Sequence, residues 1–303
     1  MIRLVVLLAM MLAVSTPATG PQNRPQNPSP MSETARQHGR IQEKPSSGLH
    51  LTLTEPLAKP VDLFAPKERF RQGRFHLLVH FHGSAFILQD ALRRTGDDWA
   101  GINVNLGSGS RVYREAFTDP GRFNALVTAA QAALAEKLQG AVTFDRVVLS
   151  GFSAGYGGVA AILSDPANYS RVDAVLLLDA IHASYVPEDK VLAEGGRIRQ
   201  QDLQIFLDLA ADVSRAESKK RFLITHSEIF PGTFVSTTEA TDHLLETLRI
   251  KRMPVLRWGP LGMQQISDAR RGHFRVLGFA GNTAPDHVDH LHAMAHFLDE
   301  LLD

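Results

Sequence analysis

The chain has 303 residues, with 32 basic side chains against 32 acidic ones, 13 histidines, no cysteine and 44% hydrophobic residues. That length fits one large or two modest domains and can bury a sizeable core without covalent staples. Lack of cysteine excludes disulfide scaffolds, cysteine-ligated zinc and cysteine nucleophiles, and the balanced charge points to neither a nucleic-acid partner nor an acidic membrane surface.

Met1-Ile2-Arg3 carries one positive charge, Leu4 to Val14 is an unbroken apolar run, and Ser15-Thr16-Pro17-Ala18 is small and helix-breaking. This is the pattern of a secretory signal peptide over 1–18, with cleavage after Ser15 or Ala18. The run is too short to span a bilayer comfortably, although an uncleaved anchor is the alternative. Secretion without cysteine suits a bacterial periplasmic or extracellular protein, with no integral membrane span in the mature chain. Residues 19–48 are rich in Pro, Gln, Asn and Ser, and such a stretch cannot bury enough apolar surface to offset its ordering entropy. It reads as a disordered tether, which leaves 49–303 as a single folded unit.

Within that unit, Leu49 to Thr54 alternates like a half-exposed edge strand, and Phe75 to Phe81 reads as a buried strand ending at His82-Gly83. Ile102 to Leu106 is a short strand followed by a flexible loop, Gly107 to Ser110. Pro120 to Gln139 has helical spacing, with Phe123, Leu126, Val127, Ala130, Leu134 and Leu138 on one face. A strand follows at Val142 to Ser150, then a small-residue helix at Ala154 to Leu163 and a strand at Val172 to Leu178 closed by Asp179. The remaining assignments are a helix at Leu203 to Ala216, a strand at Arg221 to Thr225, a helix at Thr238 to Ile250, a strand at His273 to Phe279 and a last helix at Val288 to Leu302. Strands alternating with helices predict an α/β fold, a mostly parallel sheet covered on both faces. In such sheets ligands bind beyond the C-terminal strand ends, so the residues just after each strand carry the information.

One of those positions is sharp. Gly151-Phe152-Ser153-Ala154-Gly155 is G-x-S-x-G, set directly between a strong strand and a helix. The serine then occupies a strained turn, the glycines leave room for it, and the hydroxyl stands clear of the sheet at the positive end of the next helix.

With this motif in that context, the chain resembles the α/β-hydrolase superfamily in element order over 49–303. The resemblance implies a serine hydrolase with a Ser-His-acid triad in the chain order Ser, acid, His, an acyl-enzyme intermediate and little or no cap. The reaction it fits best is carboxylic-ester hydrolysis of a small-molecule ester or similar acyl substrate, with no cofactor and no metal. It implies Ser153 as nucleophile and an oxyanion hole made by the backbone N–H of Ala154 with that of Ser84 or Ala85, after His82-Gly83. His82 braces that loop. The histidine falls between the last strand and helix, where His287 is favoured over His290, with Asp286 as the expected N-cap and His292 and His296 as structural or surface residues. The acid departs from the usual pattern: Glu228, two residues early in the loop after the penultimate strand, and Asp179, after the strand that follows the nucleophile, are both candidates. Tyr113 and Phe86 serve as substrate contacts or local packing. Alternatives are a peptidase or amidase on the same fold, a metal-dependent hydrolase using His80-x-His82 and the 287–292 cluster, and a non-catalytic binding protein. Against the metal reading, no H-x-H-x-D-H or H-E-x-x-H spacing occurs.

Overall fold

A computed structural model describes residues 42–303 apart from 45, 67–72, 97 and 189. The signal peptide and most of the tether expected from sequence therefore lie outside the described residues. Among these, no helix is long and apolar enough to cross a membrane.

The frame is one ten-stranded sheet in the order β1-β2-β4-β3-β5-β6-β9-β12-β11-β10. Its six central strands, β4 (Trp99–Val104), β3 (Arg74–Phe81), β5 (Thr143–Phe152), β6 (Ala174–Leu178), β9 (Arg221–His226) and β12 (Phe274–Phe279), run parallel. Antiparallel strands extend both edges: β1 (Leu49–Leu53) with β2 (Val61–Ala65) on one side, β10 (Met253–Trp258) with β11 (Gln264–Arg271) on the other. A separate two-stranded ribbon pairs β7 (Tyr185–Val186) with β8 (Arg197–Ile198).

Successive side chains of the central strands enter opposite cores. On β6, Val175 and Leu177 join one apolar cluster while Leu176 and Leu178 join the other, and all four are 0% exposed. Each such burial is worth roughly 1.5–3 kcal/mol relative to exposure, which explains why this strand is apolar without interruption. The first cluster is completed by α3 (Gly121–Leu138), α4 (Tyr156–Leu163), α6 (Gln200–Val213) and α7 (Thr237–Thr247). The second is completed by α1 (Ala85–Thr95), α8 (Ala284–His292) and α9 (Met294–Leu302). Two shorter helices, α2 (Ser110–Ala116) and α5 (Pro166–Arg171), fill connections.

The fourth strand starts at Trp99, earlier than the sequence suggests, and passes through Gly101. A Cβ there would meet Leu92 Cδ1 at 2.5 Å, so the glycine that weakens the strand signal leaves room for the α1 side chains Leu88 and Leu92 against the sheet. Helix α1 itself, the hairpin β10–β11 and strand β2 have no counterpart in the sequence assignment. Where a flexible loop is expected, Ser110 begins α2. The final helix is two helices, broken at Ala293, where the backbone leaves helical geometry (φ −90°, ψ 11°). Helix α6 lies against the first core rather than over the strand ends, in keeping with a small or absent cap.

Candidate active site

Three non-glycine residues at the C-terminal ends of neighbouring central strands have left-handed backbones: His82 (φ 70°) after β3, Ser153 (φ 47°) after β5 and Asp179 (φ 45°) after β6. Each costs on the order of 1 kcal/mol or more and persists only where its surroundings over-determine it. At Ser153 the chain leaves β5 and enters a short 3₁₀ turn, Ser153–Gly155, that continues into α4. Gly155 is required there because a Cβ would stand 2.1 Å from the carbonyl oxygen of Phe81 on β3. The strained turn expected from G-x-S-x-G is therefore present, with Ser153 1% exposed.

Asp179 is also 1% exposed and fully surrounded by donors. Its Oδ2 accepts from His287 Nδ1 at 2.7 Å and from Ser227 Oγ at 2.6 Å; its Oδ1 accepts from Ser227 N at 3.1 Å and Thr237 Oγ1 at 2.5 Å. Burial by itself would raise this carboxyl. The attraction and hydrogen bond of His287, with help from His290 and Ser227, outweigh it and hold Asp179 well below the usual carboxylate range. Because Asp179 only accepts, His287 carries its proton on Nδ1, which leaves Nε2 as the basic nitrogen. Ser153, Asp179 and His287 line one small cavity together with His182, Ile229, Pro231, Phe234 and Thr237.

Of the two candidate acids, Asp179 is the one joined to His287. Glu228 is exposed, and its backbone N–H donates to Gly281 O at 2.9 Å. Of the two candidate histidines, His290 instead bonds Thr225 Oγ1 through Nδ1 at 2.8 Å, with its ring between Phe279 and Phe297. Burial first, then repulsion from His287 and His226 against the pull of Asp179, lowers His290 to about 4. His287 sits a full turn into α8 rather than at its mouth. Pro285 starts the helix early, Thr283 is its N-cap, and Asp286 instead accepts from Thr283 N and Oγ1 at 2.9 and 2.7 Å. His292 is buried, and His296 faces Glu300 on the surface of α9.

The loop after β3 is braced from several sides. His82 N–H donates to Val104 O at 3.0 Å, and Asn103 Nδ2 donates to Gly83 O at 3.2 Å. The Tyr113 hydroxyl donates to Gly107 O, so His82 donates from Nδ1 to that hydroxyl at 2.8 Å. The His82 ring stacks on Phe152 at 5.9 Å, and Phe152 in turn lies 4.5 Å from the His287 ring. Tyr113 is fully buried and serves packing. Ser84 is exposed and precedes α1, whose first residue is Ala85. First-turn N–H groups of a helix have no intrahelical acceptor, and the same holds for Ala154 at its own turn.

His80 and His82 face different partners: His80 is fully buried against Ser150 Oγ at 3.1 Å, and burial pushes it down to about 3. Among the described residues, no group of three or more His, Asp or Glu side chains is arranged to hold a metal ion. His182, Ser227, Thr237, Ile229, Pro231 and Phe234 were not singled out by sequence. His182 lies three residues beyond Asp179, and the others belong to the loop after β9 and the start of α7.

No protein-family model matches the chain, and no curated protein matches it. Among solved structures, it is similar to an acylaminoacyl peptidase of Pyrococcus horikoshii, with 13% identity over 86% of this chain and a TM-score of 0.44; the chain spans 42% of that protein's length. An esterase of Thermogutta terrifontis has 16% identity over 80% of this chain and 88% of its own, with a TM-score of 0.45. The corresponding values for the carboxylesterase CesB of Bacillus subtilis are 9%, 85%, 90% and 0.45. It is the chain's own geometry that carries the assignment: parallel strands in the order β4-β3-β5-β6-β9-β12, the left-handed serine between β5 and α4, and the aspartate and histidine after β6 and β12 give it the α/β-hydrolase fold.

Proposed function

We propose that the chain is a serine hydrolase that cleaves carboxylic esters through an acyl-enzyme. The observation that carries this is the 2.7 Å bond from His287 Nδ1 to Asp179 Oδ2 in the cavity that Ser153 also lines. In this reading Ser153 Oγ attacks the ester carbonyl carbon while His287 Nε2 takes the hydroxyl proton. Asp179 keeps the ring in the required tautomer and stabilises the imidazolium, without itself being protonated. The N–H groups of Ala154 and of Ser84 or Ala85 receive the oxyanion, each such donor being worth about 3–4 kcal/mol of barrier. The C–O bond breaks as His287 returns its proton to the departing alcohol. Water then attacks the acyl-serine, with His287 again as base, and releases the acid.

The burial of Asp179 with four donors supports it over Glu228 as the acid. A fluorophosphonate probe should label Ser153 in the folded protein, and Ser153→Ala should keep its fold and lose both labelling and ester turnover. Folded wild type that fails to label refutes the reading. Export to the periplasm or medium is proposed on the leader-like residues 1–18 alone. The mass of the mature N-terminus in an exporting host checks it, an intact Met1 in soluble protein being the contrary result.

A further inference from the structure

The cavity at Ser153 is small. It lies toward β6 and β9, narrow and partly open, walled by Ile229, Pro231 and Phe234 from the loop after β9 and by His182 from the loop after β6, all four half-buried. It leaves about 30 Å³ open to the centre of a water molecule, the space of about two to three water-sized groups. Its walls are braced: the Phe234 ring meets His182 edge-on at 5.0 Å, and His182 packs on Tyr156 at 5.6 Å. His182 donates from Nδ1 to Val235 O at 3.1 Å, which pins the ring. Burial pushes it down to about 4, so at neutral pH this wall carries no charge. A separate and wider groove of about 550 Å³ on the same measure, which Ser153 does not line, is walled by Ser84, Ala85, Phe86, Gln89, Lys44 and His50, where the loop after β3 enters α1.

We infer that this narrow cavity is the acyl site and admits acyl chains of about two to four carbons, while the alcohol part of the ester lies outside it, toward the wider groove at Ser84 and Ala85. The inference rests on the serine-hydrolase reading. Its logic is the order of events at Ser153. The acyl group stays attached through both half-reactions, so a narrow slot with the Ile229, Pro231 and Phe234 side chains along it suits it. The alcohol must leave before water can attack, so it needs the side that opens to solvent. A methyl or methylene group is about the size of a water molecule, so acetyl, propionyl and butyryl groups fill the slot. A longer chain must displace rings that are packed against one another.

The test measures kcat/KM for p-nitrophenyl acetate, butyrate and octanoate, and for acetates of phenol and 2-naphthol, alongside fluorophosphonate labelling of Ser153. Acetate and butyrate should lie within about tenfold of each other, and octanoate should fall at least about tenfold below butyrate. Enlarging the alcohol at constant acetyl should cost less than that. Phe234→Ala should raise the octanoate-to-acetate ratio at least about tenfold; Ile229→Ala is the second variant should the first not label. Octanoate turned over as well as acetate by labelled wild type overturns the acyl-slot assignment while leaving the serine-hydrolase reading intact. Folded wild type that does not label overturns that reading, and the slot assignment with it.

Discussion

Asp179→Asn exchanges one oxygen of the buried carboxylate for an NH2 group. The neighbours dictate where that group goes. On the Oδ1 side it would face the Ser227 backbone N–H, which cannot become an acceptor. On the Oδ2 side it faces the Ser227 hydroxyl, which can rotate, and the His287 ring, which can change tautomer. The amide therefore keeps its carbonyl toward Ser227 N and Thr237 and donates to His287 Nδ1. His287 then carries its proton on Nε2 and can no longer accept one from Ser153. A wrong-tautomer triad loses about four orders of magnitude in kcat, or roughly 5 kcal/mol of barrier at 1.36 kcal/mol per decade. Glu228 is exposed and bonds Gly281 O through its backbone N–H, which the amide side chain leaves intact, so Glu228→Gln should stay within about threefold of wild type. Both variants and wild type would be assayed on p-nitrophenyl acetate, with thermal melts to show that each is folded. Asp179→Asn turning over within tenfold of wild type would show that this carboxylate does not set the tautomer of His287, and a large loss in Glu228→Gln would move the acid's role to Glu228.

His290→Gln should keep turnover within about tenfold, because its partner is Thr225, whereas His287→Ala should lose at least about 10⁴-fold; the reverse ranking in kcat would exchange their roles. Gly155→Ala brings a Cβ 2.1 Å from a backbone oxygen and should cost about 3 kcal/mol or more. Gly151→Ala, whose nearest atoms are 3.0 and 3.1 Å away, should cost clearly less, and equal urea midpoints would contradict this. Acid should destabilise the fold earlier than carboxylate titration alone would. Burial lowers His80 to about 3 and, as the largest cause in each, His82, His182 and His290 to about 4. Below an ordinary histidine value near 6.5 the unfolded chain takes up protons that the folded one refuses, so stability present above that pH is lost as it falls toward 4. Each group contributes up to roughly 3 kcal/mol. The depressed Asp179 acts in the same direction but only below the ordinary carboxylate range. A urea midpoint that stays flat from pH 7 to 4.5 would show these rings are not neutral in the fold.

The chemistry of this site is legible in sequence where a backbone demand restricts the residue types allowed. Gly151, Ser153 and Gly155 follow from a turn that only small residues fit, and the apolar runs of β3, β5 and β6 follow from burial on both faces. The edges are less legible. Strand β10 is mostly exposed and contains Pro254, while β11 holds Asp268, which pairs with Arg257 and Arg275. Neither produces an apolar run. Helix α1 has helical spacing at Ile87, Leu88, Ala91 and Leu92, but no side-chain N-cap bond at Ser84 announces its start.

The α/β class, the tight turn at Gly151–Gly155 and the position of His287 beyond the last parallel strand were readable from residues adjacent in the chain. Which carboxylate meets that histidine was decided by tertiary structure. Sheet order sets β6 beside β9, so the loops after both strands reach the same place and both acids are candidates by position. The left-handed backbone at Asp179 marks the turn where its carboxylate meets His287. Ser227 and Thr237, 48 and 58 residues away in the chain, supply the donors that keep it there, buried and ionised. Such long-range donors, like the Ile229, Pro231 and Phe234 walls of the cavity at Ser153, exist only once the strands are assembled, so no local pattern could have announced them.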